Sequence, residues 1–207
     1  ISSPGCLSTG DVVIISGDLV PTTAAAGADQ NLCMATSTTM AANSPAVGSG
    51  QWSIVSGAGF ISNPTSPTTT ITGLLPGGTL VLRWTISQGV CSSTDDISIV
   101  NNLIATVNAG NNQALCAPAN IQLNGSVTGG TTTGIWTSLG SGTFSPSNTS
   151  LNATYILSNN DILNGNVSLV LTSTGNTPGC PAESDTVLIN YVGFNGIVSV
   201  VPTDVSC

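Results

Sequence analysis

Basic side chains are almost missing from this chain. Its 207 residues include one Arg, Arg83, and no Lys or His. Without His there is no Ser-His-Asp or Cys-His nucleophile and no imidazole metal ligand. Without Lys there is no P-loop lysine, no Schiff base and no Lys-based acyl transfer. Lys–Asn cross-links are excluded for the same reason. Nine acidic residues remain, scattered except for Asp95-Asp96. A glycosidase needs two carboxylates facing each other across a cleft, and no pair is placed that way. No catalytic residues are assigned, and the chain reads as a non-enzyme.

The net charge is −8, and only 5% of residues are charged. This balance argues against nucleic acid, which is gripped by cations on its phosphates, and against anionic membrane surfaces. No run approaches the 18 apolar residues of a membrane span, so no membrane insertion is expected. Ser, Thr, Asn and Gly carry the solvation, and trypsin-like proteases have one bond to cut. Aromatics make up 4% of the chain, enough for small cores but not for one large one.

What is there is a repeat. Ala26-Gly27-Ala28-Asp29-Gln30-Asn31-Leu32-Cys33 returns as Ala109-Gly110-Asn111-Asn112-Gln113-Ala114-Leu115-Cys116, and Gly50-Gln51-Trp52-Ser53 as Gly134-Ile135-Trp136-Thr137. A Cys followed five positions later by Asp occurs at Cys6/Asp11, Cys91/Asp96 and Cys180/Asp185. The period, near 85 residues, is that of one small domain used in series.

Alternating runs dominate. Leu80, Leu82, Trp84 and Ile86 share one face, as do Val167, Leu169 and Leu171, then Val187, Ile189 and Tyr191, then Ile97 and Ile99. Period two over such lengths marks half-buried strands, and Gly/Pro/Ser clusters punctuate them. The only helical turn expected is at residues 159–163, capped by Asn160 or Asp161. The fold class is all-β: tandem Ig-like β-sandwich domains of about seven strands each. Residues 1–19 end a preceding repeat, 20–102 form domain 1, 103–193 form domain 2, and 194–207 open a following repeat. Ile1 starts inside a repeat and no signal peptide is present, so the chain is expected to be a slice of a longer secreted protein. Pro21-Thr22-Thr23 and Leu103–Asn108 read as short junctions.

Two Cys per repeat, in matching places and without C-x-x-C, read as disulfides in an oxidising compartment. The matched positions predict Cys33–Cys91 and Cys116–Cys180. Sandwich topology objects, because these partners fall near the A–B and F–G turns, at opposite poles. Bridges between neighbouring modules are then the alternative. Cys6 and Cys207 stay unpaired within the slice. Trp52, Trp84 and Trp136 are assigned to the cores; sugar stacking would need them exposed. Asp11, Asp29, Asp95, Asp96 and Asp185 are hard oxygen ligands, but none lies in a dense D-x-D-x-D run. No cofactor is expected, with Ca²⁺ the open alternative and a solvated turn, or a carboxylate accepting backbone N–H bonds at the start of a strand, the plainer reading.

Ala26–Cys33 with Gly48–Asp96, and Leu123–Asn176, resemble two kinds of PKD-like, Ig-like repeat found in very large surface proteins of gliding and related Bacteroidetes. Val198–Cys207 is similar to the opening of the repeat named after the gliding adhesin SprB. The resemblance implies type IX secretion and an extracellular, cell-surface location. Asp185-Thr186-Val187 resembles the Asp-Thr-aliphatic acceptor for O-glycosylation in these bacteria, which makes Thr186 the candidate glycosylated residue. The expected function is a spacer segment of a long adhesin for gliding or attachment. Its partners would be neighbouring repeats, and other parts of the chain would bind a surface or glycan. A carbohydrate-binding module of a secreted polysaccharide-degrading enzyme and a subunit of an extracellular filament are the alternatives.

Overall fold

A computed structural model describes residues 19–116 and 119–191. The chain builds two hydrophobic cores in series, one from residues between Ala24 and Ile99, the other from residues between Ala105 and Ile189. The first module holds β1 (Gln30–Cys33), β2 (Ser37–Thr39), β3 (Ser49–Ser56), β4 (Phe60–Ile61), β5 (Thr70–Thr72), β6 (Gly78–Gln88) and β7 (Cys91–Asn102). The second holds β8 (Ala105–Asn108), β9 (Gln113–Leu115), β10 (Ile121–Gln122), β11 (Ser126–Gly129), β12 (Thr133–Ser138), β13 (Thr143–Ser145), β14 (Thr154–Ile156), α1 (Asn159–Asn164), β15 (Asn166–Thr174) and β16 (Ser184–Tyr191).

The sheets correspond. In the first module a four-stranded sheet β1-β7-β6-β3 faces a three-stranded sheet β2-β5-β4; in the second, β9-β16-β15-β12 faces β10-β14-β13. The alternating runs behave as period two requires. Leu80, Leu82, Trp84, Ile86, Ile97 and Ile99 are buried, and so are Val167, Leu169, Leu171, Val187 and Ile189. The second module adds the ribbon β8–β11. The first has only a partial counterpart, with Thr22 N–H donating to the Val47 carbonyl and Asn43 N–H to the Ala25 carbonyl. Pro21 and Pro45 flank this stretch, and a proline cannot donate to a ladder.

Three sequence expectations need correction. Residues 105–108 are β8, so the junction between modules shrinks to Leu103-Ile104. Pro21-Thr22-Thr23 is no free junction, since Pro21 is buried and Thr22 Oγ1 accepts from Ala46 and Val47 N–H at 2.9 Å each. The cap of α1 is Ser158, not Asn160 or Asp161. Ser158 accepts from Asp161 N–H, and the Asp161 carboxylate accepts from Ser158 N–H, a reciprocal capping box.

All three tryptophans lie in the cores. Trp52 and Trp84 are cross-strand neighbours with ring centroids 5.1 Å apart. Trp52 Nε1 donates to the Ser66 carbonyl and Trp136 Nε1 to the Leu151 carbonyl, at 3.1 and 3.2 Å. Trp84 Nε1 has no partner. Gly50 lies against this ring, and a Cβ there would overlap the Trp84 ring edge. Arg83 sits mid-sheet between Ser53 and Asp96. Its Nε and Nη2 donate to the two Asp96 oxygens at 2.7 and 2.8 Å, and that hydrogen bond holds the Asp96 carboxyl below its ordinary range.

Asp161 is the one buried carboxylate among the described residues. Burial by itself pushes its carboxyl up. Hydrogen bonds from Ser141 N–H, Ser158 N–H and the Tyr155 hydroxyl outweigh this, and the group lies below the ordinary Asp range. A depressed folded value means stability that is present above the unfolded pKa of about 3.9 and lost as pH falls through the folded one. The second module should therefore weaken below about pH 4, and Asp161→Asn should flatten that acid limb in melts recorded across pH. In the first module, Gly50→Ala should cost about 1–3 kcal/mol by overpacking against Trp84, measured by denaturant unfolding.

Candidate functional site at the module junction

The residues that single themselves out lie where the modules meet. Cys33, the last residue of β1, is bonded to Cys180 in the loop between β15 and β16, with Cα atoms 5.0 Å apart and a sequence separation of 147. This corrects the pairing within repeats. β1 runs parallel to β7 with Cys33 opposite Asn102, whereas Cys91 starts β7. Eleven residue steps of strand separate these ends by roughly 36 Å, and a disulfide needs Cα atoms within about 7 Å. Cys91 is exposed with a free thiol. Cys116 is disulfide-bonded, but not to Cys180; Cys6 and Cys207 lie outside the described residues.

Local structure delivers both sulfurs to the pole. Immediately after Cys33 the chain turns at Met34, whose φ is 50°, and Met34 N–H donates to the Asn102 carbonyl at 3.0 Å. The buried Asn101 side chain then clamps Ala35 twice, accepting from its N–H at 2.9 Å and donating to its carbonyl at 2.8 Å. From the other module, Gly175–Glu183 replaces the two-residue turn Gly89-Val90 between β6 and β7. That longer loop brings Cys180 to β1. Asn102 Nδ2 donates to the Pro178 carbonyl at 2.8 Å, and Thr177 Oγ1 to the Leu103 carbonyl at 3.4 Å. Gly179, with φ 83°, lies against β1, and a Cβ there would overlap the Asn31 carbonyl. Only glycine fits both demands.

Of the five candidate calcium ligands, Asp29, Asp95 and Asp185 accept backbone N–H groups, Asp96 pairs with Arg83, and Asp11 lies outside the described residues. Asp95 accepts from Ala26 N–H at 2.7 Å and Asp185 from Ala109 N–H at 2.8 Å. Asp29 accepts from Ser98 N–H and Asn112 from Leu188 N–H, both at 2.8 Å. These matched bonds make Asp95, not Asp96, the structural counterpart of Asp185. Among the described residues no group of three or more His, Cys, Asp or Glu could hold a metal ion. The clefts are small: one of about 200 Å³ is lined by Leu74, Leu75, Leu80 and Ile99, another of about 310 Å³ by Asn108, Asn111, Gln113 and Asn124. Neither contains a carboxylate. Thr186 is exposed on β16. The sequence argument had no signal for Asn101 or Gly179, because each acts only once the two poles are in contact.

No family model and no curated protein matches this sequence. Solved structures do. Extracellular domains 3–5 of Drosophila OTK superpose with a TM-score of 0.58 at 9% identity, covering 84% of this chain and 61% of that one. Immunoglobulin domains 1–4 of Sidekick-1 give 0.56 at 13% identity, covering 86% and 50%. This chain is a tandem of immunoglobulin-like β-sandwiches. An I-band fragment of titin gives 0.52 at 12% identity, covering 86% and 66%. The chain thus spans between half and two-thirds of the length of these structures. Identities this low establish the fold alone.

Alkylation of the folded Ig-like tandem without reductant should label Cys91, and non-reducing peptide mapping should recover Cys33 linked to Cys180. Recovery of Cys33 with Cys91 would contradict the geometry above.

Proposed function

We propose that this tandem is a non-enzymatic spacer in a long, repeat-built adhesin, exported by type IX secretion and displayed on the surface of a gliding or attaching Bacteroidetes cell. The observation that carries the reading is the junction: two Ig-like modules joined by Leu103-Ile104 and bonded covalently across the gap by Cys33–Cys180. Domains in one chain move relative to each other unless something holds them. A short linker plus a disulfide suits a chain that must reach outward without folding back.

Other features support it. The disulfide suits an oxidising, extracellular setting. The one basic residue is ion-paired in the middle of a sheet, a poor protease target. No helix among the described residues is long and apolar enough to cross a membrane. The carbohydrate-binding alternative needs exposed aromatic platforms, but the three tryptophans are buried and Phe60 is the one large aromatic exposed among the described residues. No cofactor is needed by this role. Domain limits at residues 20–102 and 103–193 belong to the same proposal, as does a glycan on Thr186.

The spacer reading expects an extended particle. Each strand-length module contributes about 25–35 Å, so small-angle scattering should give a maximum dimension of at least about 50–70 Å. A radius of gyration near about 17 Å, that of one compact globule of this length, would overturn the reading. Antibodies to the chain should also label intact cells that make the protein; labelling only after lysis would remove the surface assignment.

A further inference from the structure

We infer that the Cys33–Cys180 bond makes a covalent load path along the tandem, taking every element from β2 to β15 out of tension. This rests on the covalent topology alone and goes beyond the spacer reading. It holds whatever surface carries the chain.

The route is traced by a constant offset. Ala24 N–H donates to Ser93 Oγ, Ala26 N–H to Asp95, and Ser98 N–H to Asp29, each pair 69 positions apart. The ladder continues in register from Gln30 opposite Ile99 to Cys33 opposite Asn102. Residues 24–33 therefore run in step alongside Ser93–Asn102 of β7, as strand from Gln30 onward, ending at the pole that meets the second module. There the path crosses the disulfide. Cys180 leads through Pro181–Glu183 into β16, which runs down the second module between β15 and β9. A pull applied at the two ends of the tandem thus follows extended strand, disulfide and extended strand. Every element from β2 to β15 lies inside the closed loop.

The loop spans 147 residues, or about 500 Å of extended chain. Intact, the bond denies all of that length to the pulling force. The described part of the path comprises only roughly 25 residues, about 85 Å when taut. Both of its strands already lie extended, so little slack is left. Unfolding of β3, β6, β12 or β15 would not lengthen the chain, and the modules could unfold and refold under load at nearly fixed reach.

The test is single-molecule stretching of the 207-residue chain held at Ile1 and Cys207, with and without dithiothreitol. Oxidised, the contour length should stop at about 200 Å; reduced, it should reach about 700 Å. The Cys91→Ser chain, which removes the free thiol and any exchange through it, should show the same two lengths. An oxidised chain that passes well beyond 200 Å would overturn the inference. So would a reduced chain that stops at the oxidised length, or a Cys91→Ser chain that no longer stops at the short length when oxidised. A chain that behaves as expected yet never reaches a cell surface would retire the adhesin proposal and leave this one standing.

Discussion

The bond between Cys33 and Cys180 is the constraint around which the junction is organised, and its requirements reach into both modules. Cys33 must finish β1 at the pole, which the turn at Met34 and the Asn101 clamp on Ala35 secure. Cys180 must extend beyond its own sheet, and the loop Gly175–Glu183 allows it. The loop must then lie against the backbone of β1, which Gly179 permits. Two residues of linker would otherwise leave a hinge. With the bond in place, the polar contacts of Asn102 and Thr177 are made between surfaces already held together, so little ordering entropy opposes them.

The two modules share a scaffold and fill it differently. Offsets of 69 positions in the first and 76 in the second recur in the bonds that tie the leading segment to the last strand. These backbone-to-side-chain bonds, to Asp29, Asp95, Asp185 and Asn112, define the common frame. Within it, Trp84 stands where Leu171 stands in the second module, and Gly50 clears space for the larger ring. The second module instead places Phe144 and Tyr155 beside Trp136, with ring centroids 6.5 Å apart for Trp136–Phe144 and 5.0 Å for Phe144–Tyr155. It anchors the Tyr155 hydroxyl on Asp161 through the capped turn of α1. Small cores with few aromatics tolerate such exchanges when total volume is conserved.

The chemistry left on the surface is sparse, and this agrees with a structural role. Among the described residues, the carboxylates that drew attention as metal ligands accept backbone N–H groups or pair with Arg83. Structures of Ig-domain proteins such as Sidekick-1 share the fold at identities too low to carry any partner across. What distinguishes the chain functionally is how its modules are joined.

Composition and period determined a good deal. The absence of His and Lys removed most catalytic chemistry, the 85-residue repeat set the module, and alternation at Leu80–Ile86, Ile97–Ile99 and Val167–Leu171 assigned the buried faces. These are local properties, because a strand's two faces are written in its own residue order. The placement of Trp52, Trp84 and Trp136 followed from the same pattern. Tertiary structure decided what depends on which ends meet. Matched cysteines in a repeat are consistent with bonds inside a module or between modules, and periodicity is identical in the two cases. The roughly 36 Å length of β7 and the reach of the loop before β16 chose the second. The offset of Asp95 from Asp96 and the clamp by Asn101 were likewise invisible to spacing, since each is a contact between segments far apart in the chain; the cap by Ser158 is local, a Ser-x-x-Asp box that the sequence does carry.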